Sequence, residues 1–214
     1  MLSASRRRRL APVGAAVLSL LFLAVALVTA APAGAQPAPD CQLRTCIQDI
    51  AWGAYNDPSV NRESGPRENC NYFSGWWGNS GYDVCGTQKG HYYRQNEWCA
   101  DFVRYVWYNA GANVSGLDTF AGSFYRANRS SGYYHPKGSG YTPGPGDAVI
   151  FDWDGPAPSL GTDGWDIDHV AIVIQYSGGW QNTIGGNEPG NPEGIYWVGR
   201  DSSRVVGYIT PRRA

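Results

Sequence analysis

The feature that most constrains the fold is a change of hydrophobic period along the chain. Before about residue 130 three stretches carry apolar residues at helical spacing. From Asp147 onward they alternate or run continuously, in short stretches set apart by turn residues. D-A-V-I-F-D-W (Asp147 to Trp153) reads as a strand entered through P-G-P-G, and D-H-V-A-I-V-I-Q-Y (Asp168 to Tyr176) as a nearly continuous apolar strand. Trp180 to Gly185, Ile195 to Gly199 and Val205 to Ile209 complete the run. Helices first and strands afterwards predict an α+β fold, with N-terminal helices packed on a C-terminal antiparallel β-sheet.

The strongest helix is N-E-W-C-A-D-F-V-R-Y-V-W-Y-N-A-G, Asn96 to Gly111. Cys99, Phe102, Val103, Val106, Trp107 and Ala110 share one face of it. Asn96 can serve as N-cap and Gly111 as the stop, which predicts Cys99 near N3. Unpaired N–H groups and the positive dipole end stabilise an anion there, and a thiolate is the nucleophilic form of a cysteine. Taken alone, a cysteine on an apolar helix face fits a small buried hydrophobe at least as well.

Cys46 to Tyr55 predicts an earlier helix ending before Asp57-Pro58, and Asp118 to Asn128 a short one capped by Asp118. Asn61 to Gly90, dense in Gly, Asn and aromatic residues, reads as a long ordered loop. Most of its aromatics are expected to fill the loop's own core, because so long a loop must bury something to stay ordered. Trp76, Trp77, Tyr92 and Trp98 are the candidates for substrate contact. Ser130 to Gly146 reads as a Gly, Tyr and Pro connection.

The N-terminus bears on compartment. Arg6 to Arg9 precede an apolar run from Leu10 to Ala31, and Ala33-Gly34-Ala35 is a small-residue cleavage pattern. This predicts a signal peptide over 1–35, a Pro-rich lead over 36–45 and one domain over 46–214. A membrane anchor is the rival, disfavoured by Pro12, Pro32 and the cleavage pattern. Cleavage would remove four of the 17 basic residues and none of the 18 acidic ones, leaving a charge of about −5. A basic stripe is therefore missing, and nucleic acid is excluded as a partner. The expectation is a secreted monomer with no stable membrane insertion after cleavage.

All five cysteines, Cys41, Cys46, Cys70, Cys85 and Cys99, follow the cleavage point, in a setting where disulfides persist. An odd number leaves one thiol. If that is Cys99, the other four allow three connectivities, and Cys41 with Cys46 plus Cys70 with Cys85 is the local choice.

A cysteine nucleophile needs a base, and the base needs an orienting group. Of the three histidines, His91 and His135 lie in loops, whereas His169 opens the strand H-V-A-I-V-I, whose backbone a sheet would fix. Together E-W-C-A-D-F-V at a helix start, P-G-D-A-V-I-F, D-H-V-A-I-V and the I-G-G-N that ends a third strand resemble the CHAP domain. These are the cysteine, histidine-dependent amidohydrolases/peptidases, related to the NlpC/P60 enzymes. The resemblance implies a papain-like fold and cleavage of amide bonds in bacterial peptidoglycan, with Cys99 as nucleophile and His169 as base.

In the family the third residue commonly comes from an E-x-N pattern. Here Gly185 stands in the acidic place and Asn187 matches, so Asn187 is the expected orienting residue. Glu188 ranks below it, because adjacent strand residues point to opposite faces. The backbone N–H of Cys99 would serve the oxyanion, with Tyr92, Tyr93 or Asn96 as second donor. No cofactor and no metal are expected. The stretch before Cys99 lacks a calcium-binding run of acids, and Asp152, Asp154, Asp163, Asp166 and Asp168 do not follow the spacing of a calcium loop. The alternative function is a catalytically weak or silent module that binds cell wall or glycan.

Overall fold

The computed structural model describes residues 41–63, 68–77, 85, 87–88, 91–92, 95–190 and 193–214. The expected signal peptide and the lead up to residue 40 lie outside the described residues. Four helices, α1 (Leu43–Asn56), α2 (Tyr72–Trp76), α3 (Cys99–Asn109) and α4 (Ser123–Asn128), lead into a sheet. A two-stranded hairpin, β1 (Thr87–Gln88) with β2 (His91–Tyr92), stands apart from that sheet. The sheet itself contains β3 (Tyr134–Pro136), β4 (Ala148–Phe151), β5 (His169–Ser177), β6 (Trp180–Glu188), β7 (Gly194–Asp201) and β8 (Val205–Ile209). Its spatial order is β3-β8-β4-β5-β6-β7, with every pairing antiparallel. The expected α+β architecture is thus present. Among the described residues no helix is long and apolar enough to cross a membrane.

α3 is the helix that organises the core. Phe102, Val103, Val106 and Ala110 are fully buried, as the i, i+3, i+4 spacing requires, and the helix packs on β5 and β6. Burial of each large side chain contributes roughly 1.5–3 kcal/mol, so this face is a main source of stability. Against it lie Ile150 of β4, Val170 and Ile172 of β5 and Ile184 of β6. The alternate residues of the same strands, Val149, Phe151, Ala171 and Val173, build a smaller cluster on the opposite face with Val205 and Tyr208. Two-sided burial is why β4 and β5 read as continuous apolar runs.

Several boundaries differ from expectation, each for a local reason. Trp98, not Asn96, is the N-cap of α3: its carbonyl accepts from Phe102 N at 2.9 Å while its own backbone is non-helical. Cys99 is therefore the first helical residue. α1 begins at Leu43, ahead of the expected Cys46, because Gln42 O accepts from Cys46 N at 2.9 Å. α4 starts only at Ser123, since Asp118 spends its carboxylate on an Asx turn to Phe120 N (2.8 Å) and an ion pair with Arg126 (3.1 Å).

The long aromatic loop contains α2, whose five residues are too few to show a period. Asn71 caps it by accepting from Ser74 N at 2.9 Å. β3 arises in the Gly, Tyr and Pro connection by pairing with β8. Cys41–Cys46 and Cys70–Cys85 are the disulfides, with Cα separations of 5.9 and 5.5 Å, and Cys99 is the free thiol.

Candidate active site

Three elements bring the site together. α3 supplies Cys99 at its first position, β5 supplies His169 at its first position, and β6 supplies Glu188 at its last. Each residue therefore stands at an end of a regular element, where the backbone is fixed but the side chain is not hemmed in by the ladder. Cys99 is 5 % exposed, His169 6 % and Glu188 1 %, so their interactions are little screened by solvent.

His169 Nε2 lies 3.0 Å from Glu188 Oε1, and the imidazole also shares a hydrogen bond with the Cys99 side chain. With Nε2 committed to Glu188, Nδ1 is the nitrogen left for the thiol. Burial alone would favour the neutral ring of His169. The neighbouring Glu188 carboxylate and the hydrogen bond with Cys99 outweigh it and push the imidazolium up to about 10. Burial acts on Glu188 in the same sense, against its charged form, yet His169 and Arg200 hold the carboxyl below the ordinary glutamate value. The cluster is an ionic one, with His169 charged and Glu188 charged.

Glu188, and not the expected Asn187, is the residue that stands at hydrogen-bond distance from His169. The reason lies in the register of β6 with β7. Gly185 pairs with Tyr196, and the next pair is Glu188 with Gly194, so three residue steps on β6 oppose two on β7. The extra residue is a β-bulge, and Asn187 absorbs it at φ 56°, a left-handed conformation that asparagine tolerates better than most. The bulge resets the alternation of faces and brings Glu188 onto the face of Gly185. Asn187 Oδ1 is buried and accepts no hydrogen bond from the described residues.

Gly185 completes the arrangement. A Cβ built there would collide with Glu188 Oε1 and come within 3.1 Å of His169 Nε2. The missing side chain at the position where the family carries an acid is what leaves room for the acid three residues later.

Beyond Glu188 stands Arg200 of β7, which pairs with its carboxylate through both terminal nitrogens, Nη2 to Oε2 and Nη1 to Oε1 at 3.1 Å. Arg200 Nη1 also donates to Thr183 Oγ1 at 3.0 Å, and the guanidinium lies 5.5 and 5.4 Å from the ring centres of Phe151 and Trp153. Trp153, His169, Asn187, Glu188, Pro189 and Arg200 line a pocket of about 330 Å³. Trp153 is 40 % exposed, with its indole stacked on Phe151 at 4.5 Å and 15°. Sequence reasoning missed Trp153 and Arg200. The signal for Trp153 was its place just past the strand leading to His169; for Arg200 there was none without the strand pairing.

The aromatic candidates are placed differently from one another. Trp98 is fully buried, stacked on Phe73 at 5.8 Å with Nε1 donating to Glu63 at 3.1 Å, so it has no face for a substrate and is corrected to a core residue. Trp76 is half-buried against Tyr105 at 4.9 Å, and Trp77 is held by a hydrogen bond to Asp101 O (3.0 Å) and by the Arg104 guanidinium 3.7 Å from its ring. Tyr92 falls in β2, but its side chain and Tyr93 lie outside the described residues. His135 is structural, stacked on Tyr141 at 3.7 Å and bonded to Thr210 at 3.0 Å.

The carboxylates of Asp152, Asp154 and Asp168 approach within 4.8 Å of one another. Asp152 accepts from the backbone of Asp154 (3.0 Å) and Ser159 (2.8 Å), and Asp168 from Trp153 N (2.7 Å). Their shared work is to pin the loop that carries Trp153, and nothing beyond proximity argues for a cation.

Fold and site together define a class: an α+β domain in which a helix-borne thiol meets a sheet-borne imidazole held by a buried acid. Residues 89–187 match the family model of the CHAP domain, the family that the motifs resemble. The matched stretch takes in Cys99, His169 and Asn187; it ends one residue before Glu188 and short of Arg200. No curated protein and no solved structure matches the chain.

Proposed function

We propose that this chain is an exported cysteine hydrolase of papain-like fold that cleaves an amide bond in bacterial peptidoglycan. The observation that carries the reading is the buried contact set Cys99, His169 and Glu188 within and beside a CHAP match, a family that suggests peptidoglycan amidase or peptidase activity.

The chemistry follows from the protonation states. The Cys99 thiolate attacks the carbonyl carbon, forming the C–S bond, while the backbone N–H of Cys99, at the helix start, serves the developing oxyanion. The imidazolium of His169 gives its proton to the leaving amine as the C–N bond breaks. Water then adds to the thioester as His169 takes its proton, the C–S bond breaks, and the acid and the thiolate are released. Glu188 holds the ring in one orientation and stabilises its charged form throughout, the part played by the third residue of a triad. Trp153, with Trp76 and Trp77 as more distant candidates, supplies aromatic surface for sugar or peptide. A silent wall-binding module was motivated by the missing acid at Gly185, and Glu188 at hydrogen-bond distance from His169 weakens that motive.

The test uses the mature protein on purified cell walls. Loss of turbidity with the wild type and none with Cys99→Ala is the expected result, and full activity in Cys99→Ala overturns the reading. Mass spectrometry of the released muropeptides then names the bond: a new amine at the lactyl junction means an amidase, one within the peptide an endopeptidase.

A further inference from the structure

We propose that Arg200 is a positioning residue of the active site, which acts through Glu188 to keep that carboxylate ionised and aimed at His169. The proposal rests on the thiol-hydrolase reading above and adds to it a fourth charged member that lies outside the CHAP-matched stretch.

The geometry is that of a clamp. Arg200 meets both oxygens of Glu188, which is 1 % exposed, and the guanidinium side chain is itself only 16 % exposed. A paired fork fixes the plane of the carboxylate as well as its charge, which a single ammonium could not do. The clamp is in turn fixed from outside, by Thr183 Oγ1 at 3.0 Å and by the stacked rings of Phe151 and Trp153. Those contacts tie β4, β6 and β7 to one guanidinium.

Charge counting shows why this chain needs the clamp. A glutamate at the family's own place would grow from the strand directly beneath the imidazole. Glu188 instead comes from beyond a bulge and folds back over Gly185, so its position is not set by its own backbone alone. It is also almost fully removed from water, which favours the neutral acid. With Arg200 present, the charges alternate from guanidinium to carboxylate to imidazolium, so the buried carboxylate stands between two cations. Without Arg200 the buried carboxylate keeps only one of its two cationic partners, and a proton on Glu188 becomes the less costly state. A protonated Glu188 no longer supports the imidazolium, and the thiolate loses its partner as well.

The test reads Cys99 without any wall substrate: the rate of its alkylation by iodoacetamide, followed from pH 4 to 10 in the mature protein. Wild type is expected to react fast down to an acid limb, and Arg200→Met to show that limb moved up by about one pH unit or more, the scale of an opposite charge in contact with a carboxylate. Arg200→Lys restores the charge, with the limb back within about half a unit of wild type, which also guards against loss of folding in the Met variant. In a Glu188→Gln background Arg200→Met should then add less than a twofold further change, because its route of action is gone. An unmoved limb in Arg200→Met, equal shifts in Lys and Met variants, or fully additive effects with Glu188→Gln overturns the proposal. If wild-type Cys99 itself shows no fast reaction at mildly acidic pH, the hydrolase reading fails, and this proposal with it.

Discussion

Glu188 Oε1 occupies the space that a side chain on Gly185 would need. The two positions are alternatives for one spot beside His169 Nε2, and only one of them can be filled. Gly185→Ala places a methyl group there, 3.1 Å from the imidazole, and forces the carboxylate away. Loss of an aligned triad acid lowers turnover by up to about 10⁴-fold in a serine protease, so a fall of about 10²-fold or more is expected for this single methyl. The measurement is initial rate on purified walls, with circular dichroism to confirm that the fold is kept; a rate within twofold of wild type refutes the shared-space argument.

Glu188 and Asn187 are separated by substitution. Glu188→Gln keeps the shape but removes the charge that supports the imidazolium, and turnover should fall by about 10²–10⁴-fold. Asn187→Gly preserves the left-handed backbone at φ 56° and removes only an amide whose Oδ1 accepts no hydrogen bond from the described residues, so the loss should stay within about threefold. The reverse order of severity would return the orienting role to Asn187.

The pH dependence follows from the same pair. His169 is raised, so its contribution to stability is fully present below the unfolded value of about 6.5 and is lost as pH rises through about 10. Glu188 is lowered, so its contribution is present above about 4.5 and is lost as pH falls through its depressed folded value. The difference in Tm between wild type and Glu188→Gln should therefore be largest from about pH 5 to 6.5, decline steadily from there toward pH 10, and shrink again as pH falls below about 4.5. Wall hydrolysis should likewise hold its rate well above pH 7 and fall only toward pH 10; an alkaline limb near 6.5 would mean an unsupported imidazole.

How much of this was legible in the chain follows from the kind of signal each feature leaves. α3, β4, β5 and β8 were readable because their apolar repeats are set by burial, and the places of Cys99 and His169 in the fold were readable because each opens such an element. The local pairing of Cys41 with Cys46 and of Cys70 with Cys85 was readable from spacing. α2 was not, having too few residues to show a period, and Trp98 was misplaced for a related reason: an aromatic residue just outside a helix looks the same whether it faces solvent or Phe73. The acid beside His169 was missed on parity. Strict alternation sends residues 187 and 188 to opposite faces, and it is the bulge at Asn187 that exchanges them. Gly-Gly-Asn inside a strand is itself the mark of such a bulge, so the information was present but the alternation rule was applied through it. Arg200 depends on the pairing of β6 with β7, a long-range contact that leaves no local trace.

Gly186, the neighbour of Gly185, tests the other face of the same strand. A Cβ at Gly186 would stand 2.7 Å from Phe102 Cβ and 2.7 Å from Trp98 Cζ3, both fully buried, so β6 and α3 approach as closely as a bare backbone allows. Gly186→Ala must push the start of α3 outward, and overpacking of this kind costs about 1–3 kcal/mol. Because Cys99 heads that helix and His169 belongs to the adjoining strand, the same displacement lengthens the contact between thiol and imidazole. The expected outcome is a lower Tm together with slower alkylation of Cys99 at pH 6, reached through the start of α3, whereas Gly185→Ala acts through Glu188 and leaves that crossing alone. A Gly186→Ala protein with wild-type Tm and wild-type thiol reactivity would show that the helix and strand have slack at this crossing, and that the placement of Cys99 does not depend on it.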